Sequence, residues 1–289
     1  MNYEGNIIRP PSEADSIILQ VTVGCSHNRC TFCGAYKDVR FRVKEEHILD
    51  ADIDFASRYC SRQNRVFLAD GDALILPQTR LIGILEKIRV RLPWVRRIST
   101  YGNAKSIRSK TTAQLLALKN LGLDRIYMGL ESGHDAVLLN IDKGETAQSM
   151  IDAAQKICDT DIFLSVTVLL GIGGADMSAP HAEATGSVLS QMAPRQIAAL
   201  TVMPLPETPL FRQMQTGEFR LPDAWGIMRE LKILVQAISL DRVQFHANHA
   251  SNYLPIAGRL QRDKGAILDA VDRALHNKTL LTPENMRAL

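Results

Sequence analysis

Apolar residues are spaced along this chain in two rhythms that take turns. Short runs rich in β-branched and aliphatic side chains, "SIILQVTV" (16 to 23), "RVFLA" (65 to 69), "RRIST" (96 to 100), "RIYMGL" (125 to 130), "FLSVTVLL" (163 to 170) and "QIAALTVM" (196 to 203), have the character of buried strands. Between them apolar residues recur at helical spacing. Leu81, Ile84, Leu85 and Ile88 form one stripe, and Ile227, Leu231, Leu234, Val235 and Ile238 form another. Further helices are predicted over 45 to 60, 111 to 121 and 146 to 158, with Thr111 and Thr146 as N-caps. About six strand and helix alternations imply parallel strands with crossover helices. Such a pattern suits an α/β fold, either a partial (β/α)6 TIM-type barrel with a C-terminal extension or a doubly wound sheet.

Parallel α/β folds place ligands at the carboxyl ends of their strands. Each unusual loop here follows a strand: "GCSHNRCTFC" (24 to 33) the first, "DGDA" (70 to 73) the second, "YGNA" (101 to 104) the third, "ESG" (131 to 133) the fourth, "GIGG" (171 to 174) the fifth and "MPLPETP" (203 to 209) the sixth. Candidate chemistry is therefore expected on one rim.

Composition narrows this further. The 289 residues are 46% hydrophobic, enough for a large core, and 34 basic against 31 acidic residues leave a charge of +3 without a long basic block. No apolar run approaches the roughly 20 residues of a membrane span, and the polar start "MNYEGNIIRPPSEADS" lacks signal-peptide regions. A cytoplasmic location follows as the expectation, where thiols stay reduced and clustered cysteines point to metal or catalysis.

Three of the five cysteines, Cys25, Cys30 and Cys33, fall in a C-x4-C-x2-C array. With a distant fourth thiol this is the plant-type ferredoxin spacing of an electron carrier, and with His27 it would make a zinc site. The available fourth thiols, Cys60 and Cys158, lie on apolar helical stripes and read as core residues. The remaining reading is a [4Fe–4S] cluster on three thiolates with one iron open.

With that reading the chain resembles the radical S-adenosylmethionine (SAM) superfamily, whose motif C-x3-C-x2-C follows the first strand of a partial barrel. One residue among Ser26, His27, Asn28 and Arg29 is extra here. Asp70, Gly71 and Asp72 stand where the family has a Gly-Gly-Glu loop that holds the SAM amino group, and Phe32 stands at the aromatic position near the adenine. "IYMGLESGHDAVLLNIDKG" (126 to 144) is similar to the branch containing oxygen-independent coproporphyrinogen oxidase, the methylthiotransferases and the Elongator catalytic subunit. The resemblance implies that Glu131 and Ser132 reach the ribose or methionine part of SAM and that Lys143 sits near its carboxylate. Taken alone, Glu131 could be a helix cap and Lys143 a solvated charge. "GIGG", beginning at Gly171, matches the adenine loop; Tyr101 and Thr167 replace an expected glutamate and aspartate. Tyr36, Arg40 and Arg42 read as a solvated basic loop.

The implied chemistry is reductive cleavage of SAM at the cluster to a 5′-deoxyadenosyl radical that abstracts hydrogen from a substrate. A low-potential donor such as flavodoxin or ferredoxin would supply the electron. The segment 243 to 264 carries His246, Asn248, His249, Asn252 and Tyr253, which would bind substrate, ligate a metal or satisfy a long loop. With no second cysteine cluster and no evident nucleic-acid module, a small-molecule substrate is expected. RNA modification and simple electron transfer are the alternatives. The expected organisation is an N-terminal arm (1 to 15), a core (16 to 240) and an extension (241 to 289) that closes the barrel or lines the substrate site.

Overall fold

A computed structural model describes residues 1 to 288. The chain runs β1 (Ile17–Gln20), β2 (Thr22–Val23), β3 (Arg42–Val43), α1 (Glu46–Tyr59), β4 (Arg65–Ala69), α2 (Gln78–Arg91), β5 (Arg97–Tyr101), α3 (Ala104–Arg108) and α4 (Thr112–Asn120). It continues β6 (Leu123–Glu131), α5 (Asp135–Asn140), α6 (Ala147–Cys158), β7 (Phe163–Leu170), α7 (Gly174–Met192), β8 (Gln196–Thr201), α8 (Pro209–Thr216) and α9 (Ala224–Ala237). The last elements are β9 (Gln244–Ala247), β10 (Ile256–Arg259) and α10 (Lys264–His276). One eight-stranded sheet has the order β1-β4-β5-β6-β7-β8-β9-β10. The pairs β1/β4, β4/β5, β5/β6, β7/β8 and β8/β9 are parallel, and β10 runs antiparallel to β9. A doubly wound sheet reverses its strand order at a switch point. This order never reverses, so the chain is singly wound, as a barrel sheet is.

All six strands read from the sequence are present, with one revision. The run 16 to 23 is two strands: β1 belongs to the large sheet, whereas β2 pairs antiparallel with β3, Thr22 opposite Val43. Both N-caps form. Thr111 Oγ1 accepts from Gln114 N within a full capping box, and Thr146 Oγ1 accepts from Ser149 N at 3.2 Å. The sequence reading missed α7, because Pro180 and the glycines at its start look like breakers.

The chain forms two compact units. The first comprises Met1–Asn28, Ala35–Met128 and Lys156–Leu164. Its helices bury the expected stripes, Leu49, Ile53 and Ala56 on α1 and Leu81, Ile84, Leu85 and Ile88 on α2. At roughly 1.5–3 kcal/mol per fully buried large side chain, these stripes hold the helices in place. A separate cluster joins Phe67, Ala69 and Tyr127 with Ile7, Ile18 and Tyr101. The N-terminal residues are fastened here: Asp52 accepts from Asn2 N at 2.6 Å, and buried Glu13 accepts from Tyr127 Oη at 2.6 Å and from Arg97 at 3.0 Å.

The second unit comprises Arg29–Gly34, Gly129–Gln155 and Ser165–Leu289, of which Leu289 lies outside the described residues. Alternation sets its strand faces: Val166, Val168, Ile197, Ala199, Phe245 and Ala247 are buried. The opposite face carries Thr167, Ala198 and His246, consecutive partners in register and each half-buried. Among the described residues no helix is long and apolar enough to cross a membrane.

Helices α7 and α9 pack so closely that a Cβ on Gly186 would lie 2.5 Å from Ala237 Cβ and 3.0 Å from Leu234 O. A glycine-to-alanine change inside a helix ordinarily gains about 1 kcal/mol. Gly186→Ala is expected to do the opposite and lose about 1–3 kcal/mol in urea unfolding, because the overpacked methyl must push the helices apart.

Candidate functional site

In the first unit, the loop after β4 is built against the first cysteine. A Cβ on Gly71 would lie 2.9 Å from Cys25 Cβ and 3.0 Å from the Tyr36 ring, so only glycine allows the approach. On either side of it stand two aspartates, both at most 1% exposed. Asp70 accepts from Gln20 Nε2 at 2.9 Å, Gly24 N at 3.2 Å and Tyr36 Oη at 3.1 Å. Asp72 accepts from Ser26 Oγ at 2.8 Å, Asn103 Nδ2 at 2.7 Å, Asn103 N at 3.2 Å and Ser106 Oγ at 2.5 Å. Burial raises both carboxyls above the usual aspartate range, while these donors pull the other way. Asp72 thereby ties the cysteine loop (Ser26), its own loop and the loop after β5 (Asn103) together.

Tyr36 is not solvated as expected. It is buried, and its hydroxyl is pushed well above the ordinary tyrosine value by desolvation and the neighbouring Asp70. Asn28 takes a left-handed backbone (φ 45°), and its amide donates to Tyr36 O at 2.5 Å. Asparagine tolerates that conformation better than most residues, so the lengthened cysteine loop is accommodated without a glycine at this position. Tyr101, at the end of β5, packs edge-on to Phe67 with centroids 5.1 Å apart, and burial raises its hydroxyl.

In the second unit, Cys30 and Cys33 are half-buried and joined by a turn in which Cys33 N donates to Cys30 O at 3.3 Å. Between them, Thr31 is held at both ends of its peptide: its N–H donates to Ile141 O at 2.9 Å and its carbonyl accepts from Leu210 N at 3.0 Å. Its hydroxyl oxygen is buried without a hydrogen-bond partner. Phe32 packs against a cluster of Val137, Leu138, Ile141, Leu169, Ile172, Val202 and Leu210.

Glu131 ends β6 with φ 63°, a left-handed conformation that costs a non-glycine residue about 1–3 kcal/mol. Its carboxylate pairs with Lys143 Nζ at 2.9 Å, and both side chains are at most 12% exposed, so neither residue is merely a cap or a solvated charge. Ser132, fully buried, contacts His181 Nδ1 at 2.8 Å. His181 Nε2 faces only acceptors, Leu169 O and Glu230 Oε1, so it carries a proton and Ser132 Oγ, which accepts from His134 N, donates its own to Nδ1. The two acceptors lie at 3.2 Å and 3.4 Å from Nε2. Glu230 in turn accepts from Gly171 N at 2.6 Å and from Ser178 Oγ. Gly171 has φ 82°, and a Cβ there would lie 2.8 Å from Ile227 Cδ1, so this position is closed to other residues.

Two members of this network, His181 and Glu230, escaped the sequence reading. Glu230 left a signal: three residues after Ile227 and four before Leu234, it is a charge on an apolar helical stripe. His181 left none, because its helix was not anticipated. In the extension, Asn252 bonds Thr201 Oγ1 and Ala199 O at 2.8 Å each, and Tyr253 donates to Glu284 at 2.6 Å beneath the Arg287 guanidinium. His249 Nδ1 accepts from Ser251 N at 3.1 Å, which puts the ring proton on Nε2. Asn248 is exposed. Burial lowers the pKa of His246 and of His249, so both stay neutral at neutral pH. Cys158 is exposed and Cys60 half-buried, not core residues as expected, since each lies where its helix ends.

The family model of the radical SAM superfamily matches residues 19–181, which is 163 of the 289 residues. No curated protein matches the chain. Among solved structures, methylornithine synthase is similar over 77% of this chain and 63% of its own, at 14% identity and a TM-score of 0.53. The radical SAM methyltransferase TsrM from Kitasatospora setae, with cobalamin and a [4Fe–4S] cluster bound, is similar over 72% of this chain and 41% of its own (15% identity, TM-score 0.56). Coproporphyrinogen III oxidase from Escherichia coli gives 76% and 52% (12% identity, TM-score 0.55). The chain thus spans less than two thirds of each of these proteins, and the likeness is one of fold: the partial TIM-type barrel anticipated from the strand pattern.

Two outcomes test the buried carboxylates. The raised Asp72 carboxyl binds its proton more tightly folded than unfolded, so the stability tied to that proton is present below the unfolded value of 3.8 and is lost as pH rises through the folded one. Asp72→Asn sets an amide N–H against existing donors, a deficit of about 1–3 kcal/mol that should narrow in urea titrations as the pH rises above about 4. Glu230→Ala leaves the Gly171 N–H unpaired, and hydrogen exchange at Gly171 is expected to accelerate by at least about tenfold, the equivalent of about 1.4 kcal/mol.

Proposed function

The chain belongs to the radical SAM superfamily, and from that premise we propose that Cys25, Cys30 and Cys33 hold a [4Fe–4S] cluster whose open iron takes SAM. It is a radical SAM enzyme, and its cofactors are the cluster and SAM that members of the family bind. The observation that carries the assignment of residues is the absence of room at Gly71: the loop corresponding to the family's SAM-amino loop is packed onto Cys25.

The donors present fit the group. Among the described residues no three His, Cys, Asp or Glu side chains are arranged to hold a single metal ion. A four-iron cluster takes its thiolates at separate irons, so the surroundings of each cysteine are the relevant test of fit. Cys25 is overlaid by the Gly71 backbone, and Cys30 and Cys33 bracket a buried hydroxyl that lacks an acceptor. Bound there, the cluster supplies an electron for reductive cleavage of SAM, which yields a 5′-deoxyadenosyl radical for hydrogen abstraction.

The chain's own residues bind and orient. Asp72 fixes the loop whose backbone carbonyls, with Asp70 and Gly71, receive the SAM amino group. Glu131, held by Lys143, and Ser132, held by His181, receive its ribose or methionine part, and Lys143 lies near the SAM carboxylate. Phe32 packs beside the adenine, and Gly171, fixed by Glu230, opens the backbone to it. His246 and His249, both neutral, offer hydrogen bonds to a small-molecule substrate, with Asn248 at the edge. Asn252 and Tyr253 support that wall, since their polar atoms are spent within it. The extension 241 to 289 serves the substrate end of the core 16 to 240, a flavodoxin or ferredoxin supplies the electron, and the setting is cytoplasmic.

Anaerobic reconstitution should give about four irons per chain, and reduction with SAM present should give 5′-deoxyadenosine. Replacing Cys25, Cys30 or Cys33 by alanine should abolish both, whereas Cys60→Ala and Cys158→Ala should retain iron; iron lost from either of the latter would favour an electron carrier. Glu131→Ala is expected to weaken SAM at least about tenfold by calorimetry, or some 1.4 kcal/mol. His246→Ala should leave SAM affinity unchanged and uncouple SAM cleavage from substrate turnover. A nucleic-acid absorbance excess in the purified protein would point instead to RNA modification.

A further inference from the structure

Thr31 combines three observations that the assignment of the cluster ligands leaves unused. Its hydroxyl is buried without a partner. Its peptide is clamped on both sides, by Ile141 O and Leu210 N, so the side chain is carried on a fixed backbone. It lies inside the turn whose two ends are Cys30 and Cys33. A buried hydroxyl that donates to nothing costs about 1–3 kcal/mol, and such a group in a native chain calls for an explanation. Two other polar side chains of the cysteine loop, Ser26 and Asn28, do find acceptors, in Asp72 and in the Tyr36 carbonyl.

Resting on the cofactor reading above, we propose that the Thr31 hydroxyl donates a hydrogen bond to a sulfur of the cluster, a thiolate of Cys30 or Cys33 or an inorganic sulfide, and so raises the reduction potential. The physical argument is electrostatic. One-electron reduction places an added negative charge on the iron–sulfur core, and a donor aimed at its sulfurs stabilises the reduced form more than the oxidised form. The electron itself comes from the external low-potential donor; Thr31 is neither oxidised nor reduced. It is a tuning residue that eases loading of the cluster from that donor, and the clamped peptide fixes the backbone from which its hydroxyl projects.

The test compares the wild type with Thr31→Val, which keeps the branched shape and removes the donor, and Thr31→Ser, which keeps the donor. Each reconstituted protein is titrated anaerobically with dithionite, and the reduced cluster is followed by absorbance and electron paramagnetic resonance. Thr31→Val should shift the one-electron reduction equilibrium against the reduced form by at least about threefold, about 30 mV to lower potential at 59 mV per tenfold, while Thr31→Ser stays near wild type. In the cluster-free proteins, Thr31→Val should be as stable as wild type or more so, because it deletes an unsatisfied hydroxyl. Equal potentials in the three proteins at full iron content would overturn the proposal. So would a loss of cluster-free stability in Thr31→Val, which would mean a protein partner for the hydroxyl. A wild-type chain that takes up no iron would instead remove the cofactor reading, and this proposal with it.

Discussion

A carboxylate taken out of water must be surrounded by donors, and that requirement organises the loops of this protein. In the first unit the carboxylate is Asp72, fully buried and given four hydrogen bonds by Ser26, Asn103 and Ser106. In the second it is Glu230, fully buried and given the Gly171 amide and the Ser178 hydroxyl, with His181 beside it. Each donor belongs to a different loop or helix. Loops that would otherwise be mobile connections are therefore held to a common point, because letting go would leave a bare buried charge at a cost of several kcal/mol.

What these anchors make possible is close approach of backbone. Gly71 and Gly171 are closed to any side chain, one by Cys25 and Tyr36, the other by Ile227 and its positive φ. Backbone packed this tightly holds each loop in one conformation, with the Gly171 amide committed to Glu230 and its carbonyl to Gly174 N. The strained Glu131 belongs to the same design. Its left-handed backbone ends β6 where its carboxylate enters a nearly buried pair with Lys143.

Polar groups that the fold satisfies differ from those it leaves unused, and the difference separates support from chemistry. Asn252 and Tyr253 spend their hydrogen-bonding atoms on Thr201, Ala199 and Glu284. Thr31 and His246 do not. The Thr31 hydroxyl has no protein acceptor, and His246 stands in the half-buried row with Thr167 and Ala198, its pKa lowered by desolvation. These are the groups that the proposed cofactor and substrate would engage.

Local pattern was enough to read the alternation of strand and helix, the six parallel strands, the caps at Thr111 and Thr146 and the spacing of the three cysteines, because all of these are expressed within a few residues of chain. The motif order, from the cysteine loop through "DGDA" and "ESG" to "GIGG", carried the family as well. What local pattern left undecided was whether the strands wind once or double back, since both choices use the same βα units; the sheet order decides it. Nor did it separate Tyr36 from a solvated loop, or Cys158 from a core stripe, because burial at those positions depends on what covers them. Thr22 and Val23 continued an apolar run, yet Arg42 and Val43 drew them into a second sheet. His181, Glu230 and Thr31 acquire their roles from partners 12 or more residues away, such as Leu169, Gly171, Ile141 and Leu210. A hydrogen bond between distant segments leaves no periodic trace in either one, so only the folded chain could reveal it.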